Sequence, residues 1–389
     1  MRICAVICEF NPFHFGHEYI VTEAKKHNDA VIAVMSGAFT QRGETAILSK
    51  YERAIMAIEG GCDLVLELPF PFCSAGAEKF AHGGIGVING IGCIDELVFG
   101  SECADAEEIK KVSGNLLTDR FITALNGAKG RNADVRYADM YFGTYRNEFG
   151  ATPVFDGSND ILAVNYVSEL IRLNSKTEIR PIKRVGKSYN GIGNGISSAT
   201  EIRKRIIDGT VSRDDVPEYT AEIIAGNIDK IYDYSRMFAP FASYFRLHGA
   251  ADFSSCYDMT DELAYRIGNA FDKSTDINTS IEYASNRNYS GSRVRRAMLN
   301  AILSMYESDY RSVEYTAVLA ANKTGREILA NIRKTSAIPI ITKPADYKSF
   351  GEAVSAQFEL SLRADALASL CRVSPCRPSD VLTRSPYMK

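Results

Sequence analysis

The first hundred residues alternate between short apolar runs and segments with helical spacing. Apolar residues dominate 3–8, 31–35, 63–68 and 96–99, and the last three runs end in Ser-Gly, Pro and Gly-Ser. Runs of this kind are typical of strands buried on both faces of a parallel sheet. The segments between them predict helices at 18–27, 51–59 and 75–88. This alternation predicts an α/β fold whose parallel sheet is built with right-handed crossovers.

The pattern changes along the rest of the chain. Residues 105–155 are irregular and predict helical insertions with a long loop, followed by a helix at 158–172 and a strand at 178–182. After Gly209 strand patterns become scarce, and helical spacing recurs at 219–225, 261–271, 292–305, 325–335 and 352–370. We therefore predict a Rossmann-like domain over residues 1–210 and a mainly helical C-terminal domain over 211–389.

Composition narrows the class of protein. Of 389 residues, 46% are hydrophobic and 24% charged, as in ordinary globular proteins. No apolar run approaches the about 18 residues of a membrane span, and the N-terminus lacks a cationic-then-apolar leader, so we expect a cytoplasmic protein without a membrane partner. Nine cysteines without a Cys-x-x-Cys pair favour reduced core thiols. A net charge of −3 means that a nucleic-acid partner would need a local basic patch.

The most informative motif is His14-Phe15-Gly16-His17, which follows the first apolar run. The turn after the first strand of an open α/β sheet is where ligands usually bind. A helix start there offers N–H groups to a phosphate, and Gly16 allows close approach. Two imidazoles three residues apart can donate hydrogen bonds to oxygens on which negative charge develops. The motif is short and also occurs by chance, but it contains two of only five histidines in the chain.

A second candidate motif opens a later helix. Ser198, Thr200 and Arg203 place hydroxyls and a guanidinium in a first helical turn that also carries a capping-box pattern. Such a turn suits phosphate oxygens. Taken alone, the pattern favours a plain capped surface helix with a basic first turn.

Together the two motifs resemble the nucleotidyltransferase superfamily. There, a His-x-Gly-His turn and an Ile-Ser-x-Thr-x-Ile-Arg helix start hold ATP from opposite sides; the second motif here reads Ile196-Ser197-Ser198-Ala199-Thr200-Glu201-Ile202-Arg203. Longer segments look like the tRNA(Met) cytidine acetate ligase family, namely 9–17, 34–44, 63–69, 99–102 and 325–343. The family's Pro-Asn-Asn-Ile-Leu-Gly segment reads Ser158-Asn159-Asp160-Ile161-Leu162-Ala163 here, so Asp160 places an anion where the family has an amide.

The resemblance implies a two-step reaction. Acetate attacks the α-phosphate of ATP, with a bound Mg²⁺, to give acetyl-adenylate and pyrophosphate, and the wobble cytidine of elongator tRNA(Met) then takes the acetyl group. His14 and His17 would be catalytic, and Ser198, Thr200 and Arg203 would hold the β- and γ-phosphates. The implied nucleotide site comprises Ile7, Cys8, Glu9, Phe10, Asn11, Pro12, Phe13, His14, Phe15, Gly16, His17, Glu18, Tyr19, Ile20, Gly100, Asn159, Arg184, Ser198, Thr200 and Arg203. No protein ligand to a metal is implied.

Basic clusters provide candidate tRNA contacts. One comprises Arg287, Arg293, Arg295 and Arg296, and we expect it to lie on a domain apart from the small-molecule pocket. A second comprises Arg180, Lys183, Arg184 and Lys187. Arginine runs are also common on solvated helix faces. The segment Gln41-Arg42-Gly43-Glu44 could line the acetate or the cytidine site.

Two other functions stay open at this point. A small-molecule adenylyl or cytidylyl transferase would use the same motifs, although the long helical half favours a macromolecular partner. A non-catalytic RNA-binding protein on a degenerate fold is the other, which the intact motif residues disfavour. No protein partner is inferred.

Overall fold

A computed structural model describes residues 1–131, 137–184 and 198–389. Its first part alternates strands and helices as the apolar pattern predicts. The elements are β1 (Ile3–Cys8), α1 (Phe15–Lys25), β2 (Ala30–Ser36), α2 (Lys50–Glu59), β3 (Leu64–Leu68), α3 (Ala77–Ile91) and β4 (Glu96–Ser101). All four predicted strands are confirmed to within two residues at each end, because uninterrupted apolar runs bounded by loop residues leave little choice of boundary.

Helices fill the segment between β4 and the next strand. They are α4 (Ala106–Leu116), α5 (Asp119–Arg131), α6 (Tyr137–Phe149) and α7 (Ser158–Arg172), followed by β5 (Glu178–Lys183) and α8 (Ala199–Ile207). The bounds of the predicted helix at 158–172 are confirmed. The irregular region 105–155 contains three regular helices that sequence periodicity did not separate. Ile196, Ser197 and Lys187 lie outside the described residues.

The second half of the chain is mainly helical. Its helices are α9 (Glu218–Ala225), α10 (Phe238–Leu247), α11 (Ala250–Phe253), α12 (Asp261–Lys273), α13 (Ile277–Ala284), α14 (Gly291–Ile302), α15 (Lys323–Ile332), α16 (Glu352–Ser369) and α17 (Asp380–Thr383). Three strands are interspersed: β6 (Thr316–Ala321), β7 (Ile340–Ile341) and β8 (Tyr387–Met388). All five helices predicted after Gly209 are present.

One mixed sheet connects the two halves. Its strand order is β5-β4-β1-β2-β3-β6-β7, with β8 also pairing with β6. Strands β1 to β5 pair in parallel, whereas β6 is antiparallel to β3. The order 3-2-1-4-5 is that of a doubly wound sheet, in which ligands bind where the strand order reverses, here between β1 and β4.

The sequence pattern did not predict β6. The run Thr316–Ala321 is rich in alanine and has no clear period, yet every residue in it is buried, and the strand pairs with the edge of β3 that β2 does not occupy. The sheet therefore extends beyond residue 210, and the division at that residue stays a prediction.

Helices cover the sheet on both faces. One face packs against residues of α3, α4 and α7, and the other packs against α1, α2, α8 and α9. Strands β2 and β3 are buried along their whole length. Because helices cover both faces of the sheet, polar side chains can cluster in the loops at the carboxyl ends of the strands.

Candidate active site

A cleft of about 300 Å³ opens at the carboxyl ends of β1 and β4, where the strand order reverses. Nine of its lining residues are among those predicted to bind the nucleotide: Ile7, Cys8, Glu9, Phe10, His17, Ile20, Gly100, Asn159 and Arg184. The others are Val6, Val21, Gln41, Arg42, Phe80, Phe99, Ser158, Leu162 and Tyr166. The size is at the lower end of small-molecule sites.

The two motif histidines lie at the start of α1. His14 is the N-cap, and its Nδ1 accepts a hydrogen bond from the backbone N–H of Gly16 at 3.0 Å. His17 Nδ1 accepts from the backbone N–H of His14 at 3.3 Å, and the two rings stack with centroids 3.8 Å apart. Helix α1 therefore begins at Phe15, three residues before the predicted start at Glu18, because His14 caps it. Since both Nδ1 atoms accept, each neutral ring carries its proton on Nε2.

Both imidazoles are held in the neutral form. Burial, with the positive charges of Arg184 and Arg203, lowers the pKa of His14 to about 4. Burial and the neighbouring His14 ring lower the pKa of His17 well below its usual value. At neutral pH the pair therefore presents N–H groups and carries no imidazolium charge.

The structure brings the two sequence motifs together. Arg203 extends from α8 and donates through Nη1 to the carbonyl of Asn11 at 2.9 Å, across 192 residues of chain. Its Nη2 donates to Thr200 Oγ1 at 3.2 Å. Arg203 is half-buried, whereas Thr200 and Ser198 are exposed. The Ser198 hydroxyl is engaged with Glu201, which confirms the predicted capping box.

Asp160 is turned away from the cleft. Its carboxylate accepts hydrogen bonds from the Ser101 hydroxyl and from the backbone N–H groups of Glu102 and Cys103, at 3.0 and 2.8 Å for the latter two. Asp160 is fully buried and fixes the loop after β4. Its neighbour Asn159 donates to Glu102 at 2.5 Å and lines the cleft. The anion at position 160 is thus satisfied by the loop.

Gly100 and Arg184 line the same cleft as His17. A Cβ at Gly100 would lie 3.3 Å from Ile20 Cδ1 and 3.4 Å from Arg184 Cγ, which is tighter than ordinary contact. The Arg184 side chain is exposed at the cleft, and its backbone N–H donates to Ser101. Glycine therefore leaves room for both Arg184 and a ligand.

Some predicted nucleotide residues support the loop from behind. Phe13 is fully buried and packs against Phe10 and Tyr219. Phe10 has a φ of 44°, a strained value for a non-glycine residue, and its ring contacts His17 at 5.0 Å between centroids. The Asn11 side chain accepts from the backbone N–H of Ile47 at 2.7 Å. Glu18 accepts from the Tyr219 hydroxyl.

Sequence analysis did not identify Arg53. This guanidinium is completely buried and donates to the backbone carbonyls of Glu9, Ser36, Gly37 and Leu48. It ties the loops after β1 and β2 together, which fixes the floor of the site. The sequence did contain one indication of this role, because Arg53 lies within segment 50–58, which is largely buried. A buried charge needs several hydrogen-bond partners.

The predicted arginine cluster separates in the structure. Arg287 is exposed, and Arg293 forms an ion pair with Asp258 at 3.0 Å. Arg295 and Arg296 donate to the carbonyls of Arg42 and Gln41, at 3.1 and 3.2 Å. For Arg295 and Arg296 the expectation that they lie apart from the small-molecule pocket is wrong, because those two loop residues line the cleft. The intervening chain is about 250 residues long, so local sequence carried no signal of the contact.

The second basic cluster is partly committed to the fold. Arg180 forms an ion pair with the buried Glu96 at 2.9 Å, and the Lys183 ammonium donates to the carbonyl of Glu102.

Within 1–131, 137–184 and 198–389, no group of three His, Cys, Asp or Glu side chains could hold a metal ion. In the same ranges no helix is long and apolar enough to cross a membrane.

Comparison with known proteins gives consistent results. Residues 1–380 match the family described as HIGH Nucleotidyl Transferase. A tRNA(Met) cytidine acetate ligase of Thermosipho melanesiensis is 33% identical over 368 residues, covering 89% of this chain and 85% of the relative. A protein of the same name from Limosilactobacillus reuteri is 33% identical over 350 residues, covering 88% and 90%. Crystal structures of Thermotoga maritima TmcAL, with alpha-thio ATP and apo, match with a TM-score of 0.91 at 28% identity, covering 100% of this chain and 99% of theirs.

Proposed function

The chain belongs to the tRNA(Met) cytidine acetate ligase family of HIGH nucleotidyl transferases, and we propose that it performs that family's reaction. Acetate and ATP give acetyl-adenylate and pyrophosphate, and the acetyl group passes to N4 of the wobble cytidine of elongator tRNA(Met). The observation that carries this proposal is the stacked His14–His17 pair at the reversal of strand order, joined to the second motif through Arg203.

The first step needs charge stabilisation at the α-phosphate. A carboxylate oxygen of acetate forms a bond to the α-phosphorus, the bond to the bridging oxygen breaks, and pyrophosphate leaves with the electron pair. The Nε2–H groups of His14 and His17 are already oriented by their Nδ1 hydrogen bonds, so they stabilise the developing charge without reorganisation. Arg184 and Arg203, whose charges act on His14, add positive potential.

The second step transfers the acetyl group. The cytidine N4 attacks the acetyl carbonyl carbon, the bond to the AMP oxygen breaks, and N4 loses a proton. No covalent enzyme intermediate is needed. The site contributes mainly by holding both reactants in contact.

We propose that Mg²⁺ enters with ATP. Mg²⁺ keeps several waters and is usually bound by substrate phosphates with one or two carboxylates, and it does not need a protein cage. The ion would neutralise charge on the triphosphate beside Arg203.

The proposed location of the protein is the cytoplasm, where tRNA is modified.

An exchange assay tests the proposed activity. We expect ATP–pyrophosphate exchange that depends on acetate, and acetylation of tRNA(Met) when tRNA is added. Acetate-independent transfer of AMP to a small molecule would indicate the adenylyltransferase alternative. Binding of tRNA without any exchange would indicate the non-catalytic alternative.

Arg203→Ala is expected to raise the KM for ATP about tenfold to hundredfold, as for loss of one charge-assisted contact. The reason is that ATP carries most of its charge on its terminal phosphates, which we place beside Arg203. KM values from exchange assays measure the effect, with Lys204→Ala on the exposed face of α8 as the matched control. An unchanged KM for ATP together with lost tRNA affinity would assign Arg203 to RNA binding.

We propose that Arg287 and Arg293 contact tRNA phosphates. Arg287 is exposed, whereas Arg293 is half-buried, with its Nε paired to Asp258 at 3.0 Å and its guanidinium carbon 5.1 Å from the centroid of the Tyr289 ring. The double variant Arg287→Gln, Arg293→Gln should weaken tRNA binding and lower its salt dependence by about one unit of slope per lost contact. Filter binding over a salt series measures this. Acetate-dependent exchange should persist; unchanged tRNA affinity at every salt concentration would remove these residues from the interface.

A further inference from the structure

The loop Gln41–Glu44 forms one side of the cleft and has no role so far. Gln41 and Arg42 line the cleft together with His17 and Phe80. The loop closes on itself through a hydrogen bond from Thr40 N–H to the Glu44 carbonyl at 2.9 Å. Its position next to the catalytic pair makes it a candidate for contact with the reactants.

The backbone of this loop is held from several directions. The Glu9 carboxylate accepts from Gln41 N–H at 2.7 Å, while Arg296 and Arg295 donate to the carbonyls of Gln41 and Arg42. Arg295 also pairs with Glu44 at 3.2 Å. Gly43 has a φ of 77°, and a Cβ there would lie 2.9 Å from both Arg295 Cβ and the Arg296 backbone nitrogen. Helix α14 and the loop are therefore packed so closely that a side chain at position 43 would clash with the helix.

The Arg42 guanidinium differs from the rest of the loop because, among the described residues, no neighbour holds it. Within the residues the structure describes, no hydrogen bond or ion pair engages it, and the side chain is exposed at the cleft. The carboxylates nearby are already engaged, Glu9 with Gln41 and Glu44 with Arg295. Burial lowers the pKa of Arg203, the charges of Glu44 and Glu9 act to raise it, and the charge of Arg42 acts to lower it, so the two guanidiniums and the two carboxylates lie within electrostatic range of one another.

We propose that Arg42 binds an oxyanion of the reactants, and that Arg295 and Arg296 are positioning residues that hold it over the cleft. Two reactant groups share this chemistry: the phosphates of ATP and the carboxylate of acetate. A guanidinium presents a planar fork that fits either. Two arginines predicted to meet tRNA thus act, through the loop, on the adenylation step. This inference builds on the proposed function.

Direct binding separates the two oxyanion sources. Ligand-observed NMR titrations with ATP, adenosine and acetate are performed on the full chain and on Arg42→Ala, with Arg42→Lys to restore charge. If Arg42 holds phosphate, the alanine variant should lose about tenfold to hundredfold in affinity for ATP and none for adenosine. If Arg42 holds the carboxylate, acetate affinity falls by that factor and ATP affinity stays. Unchanged affinities for both would overturn the inference.

A double-mutant cycle tests the positioning role. Arg296→Ala should produce part of the Arg42→Ala loss, and the double variant should be no worse than Arg42→Ala alone, because both act through one contact. Arg266→Ala is the matched control, since Arg266 also donates to backbone carbonyls, those of Ala284 and Ser285, far from the loop in sequence. Additive losses would assign Arg296 a separate role. These titrations measure ligand binding and do not require turnover. Absence of acetate-dependent exchange would therefore contradict the proposed function, while the affinities measured for the Arg42 variants would still test the role of Arg42.

Discussion

Replacing either motif histidine by asparagine is expected to lower acetate-dependent ATP–pyrophosphate exchange by about 10²–10³-fold, the usual effect of losing one oriented donor at a developing oxyanion. Asparagine keeps an acceptor near the position of Nδ1, so His14→Asn can still accept from Gly16 N–H, whereas the Nε2 donor is lost. Alanine would add about 1 kcal/mol of destabilisation through loss of the helix cap.

The control for this experiment is His27→Asn. His27 is exposed and lies just after α1, outside the cleft. We expect wild-type exchange from it, and exchange by the wild type should not depend on imidazole titration between about pH 6 and pH 8, since both motif histidines are already neutral. Wild-type turnover by the double variant His14→Ala, His17→Ala would refute catalysis by this pair.

Lys50→Met is expected to lower the free energy of unfolding by about 3–5 kcal/mol. The Lys50 ammonium is buried and contacts Glu67 at 2.7 Å and Asp365 at 2.9 Å. Burial alone would lower the pKa of Lys50, but the charges of Asp365 and Glu67 outweigh it and raise the pKa well above its usual value. Removing the ammonium leaves two carboxylates in a site closed to water. The midpoint of urea unfolding measures the loss.

Two further variants sharpen this test. The triple variant Lys50→Met, Glu67→Gln, Asp365→Asn should recover much of the lost stability, because no uncompensated charge remains. Lys26→Met removes an exposed ion pair with Glu23 and should cost less than about 1 kcal/mol. A Lys50→Met variant as stable as Lys26→Met would mean that the Lys50 cluster is hydrated.

Local patterns in the sequence determined the first part of the fold and the location of its site. The bounds of β1 are those of its apolar run, and α7 matches its predicted bounds, because periodicity and flanking loop residues act over a few residues. The position of the His14–His17 motif after the first strand was enough to place it at the ligand edge of the sheet. Nine of the predicted nucleotide residues line the cleft.

Tertiary structure alone decided which distant segments complete the sheet and the site. The alanine-rich run 316–321 is a strand because β3 offers it an edge, and no local period records that edge. Asp160 faces the loop after β4 because three donors meet it there. Lys50 meets Asp365, and Arg296 meets Gln41, across hundreds of residues. Such contacts depend on how the chain returns to the sheet, whereas a sequence pattern reports only what neighbouring residues have in common.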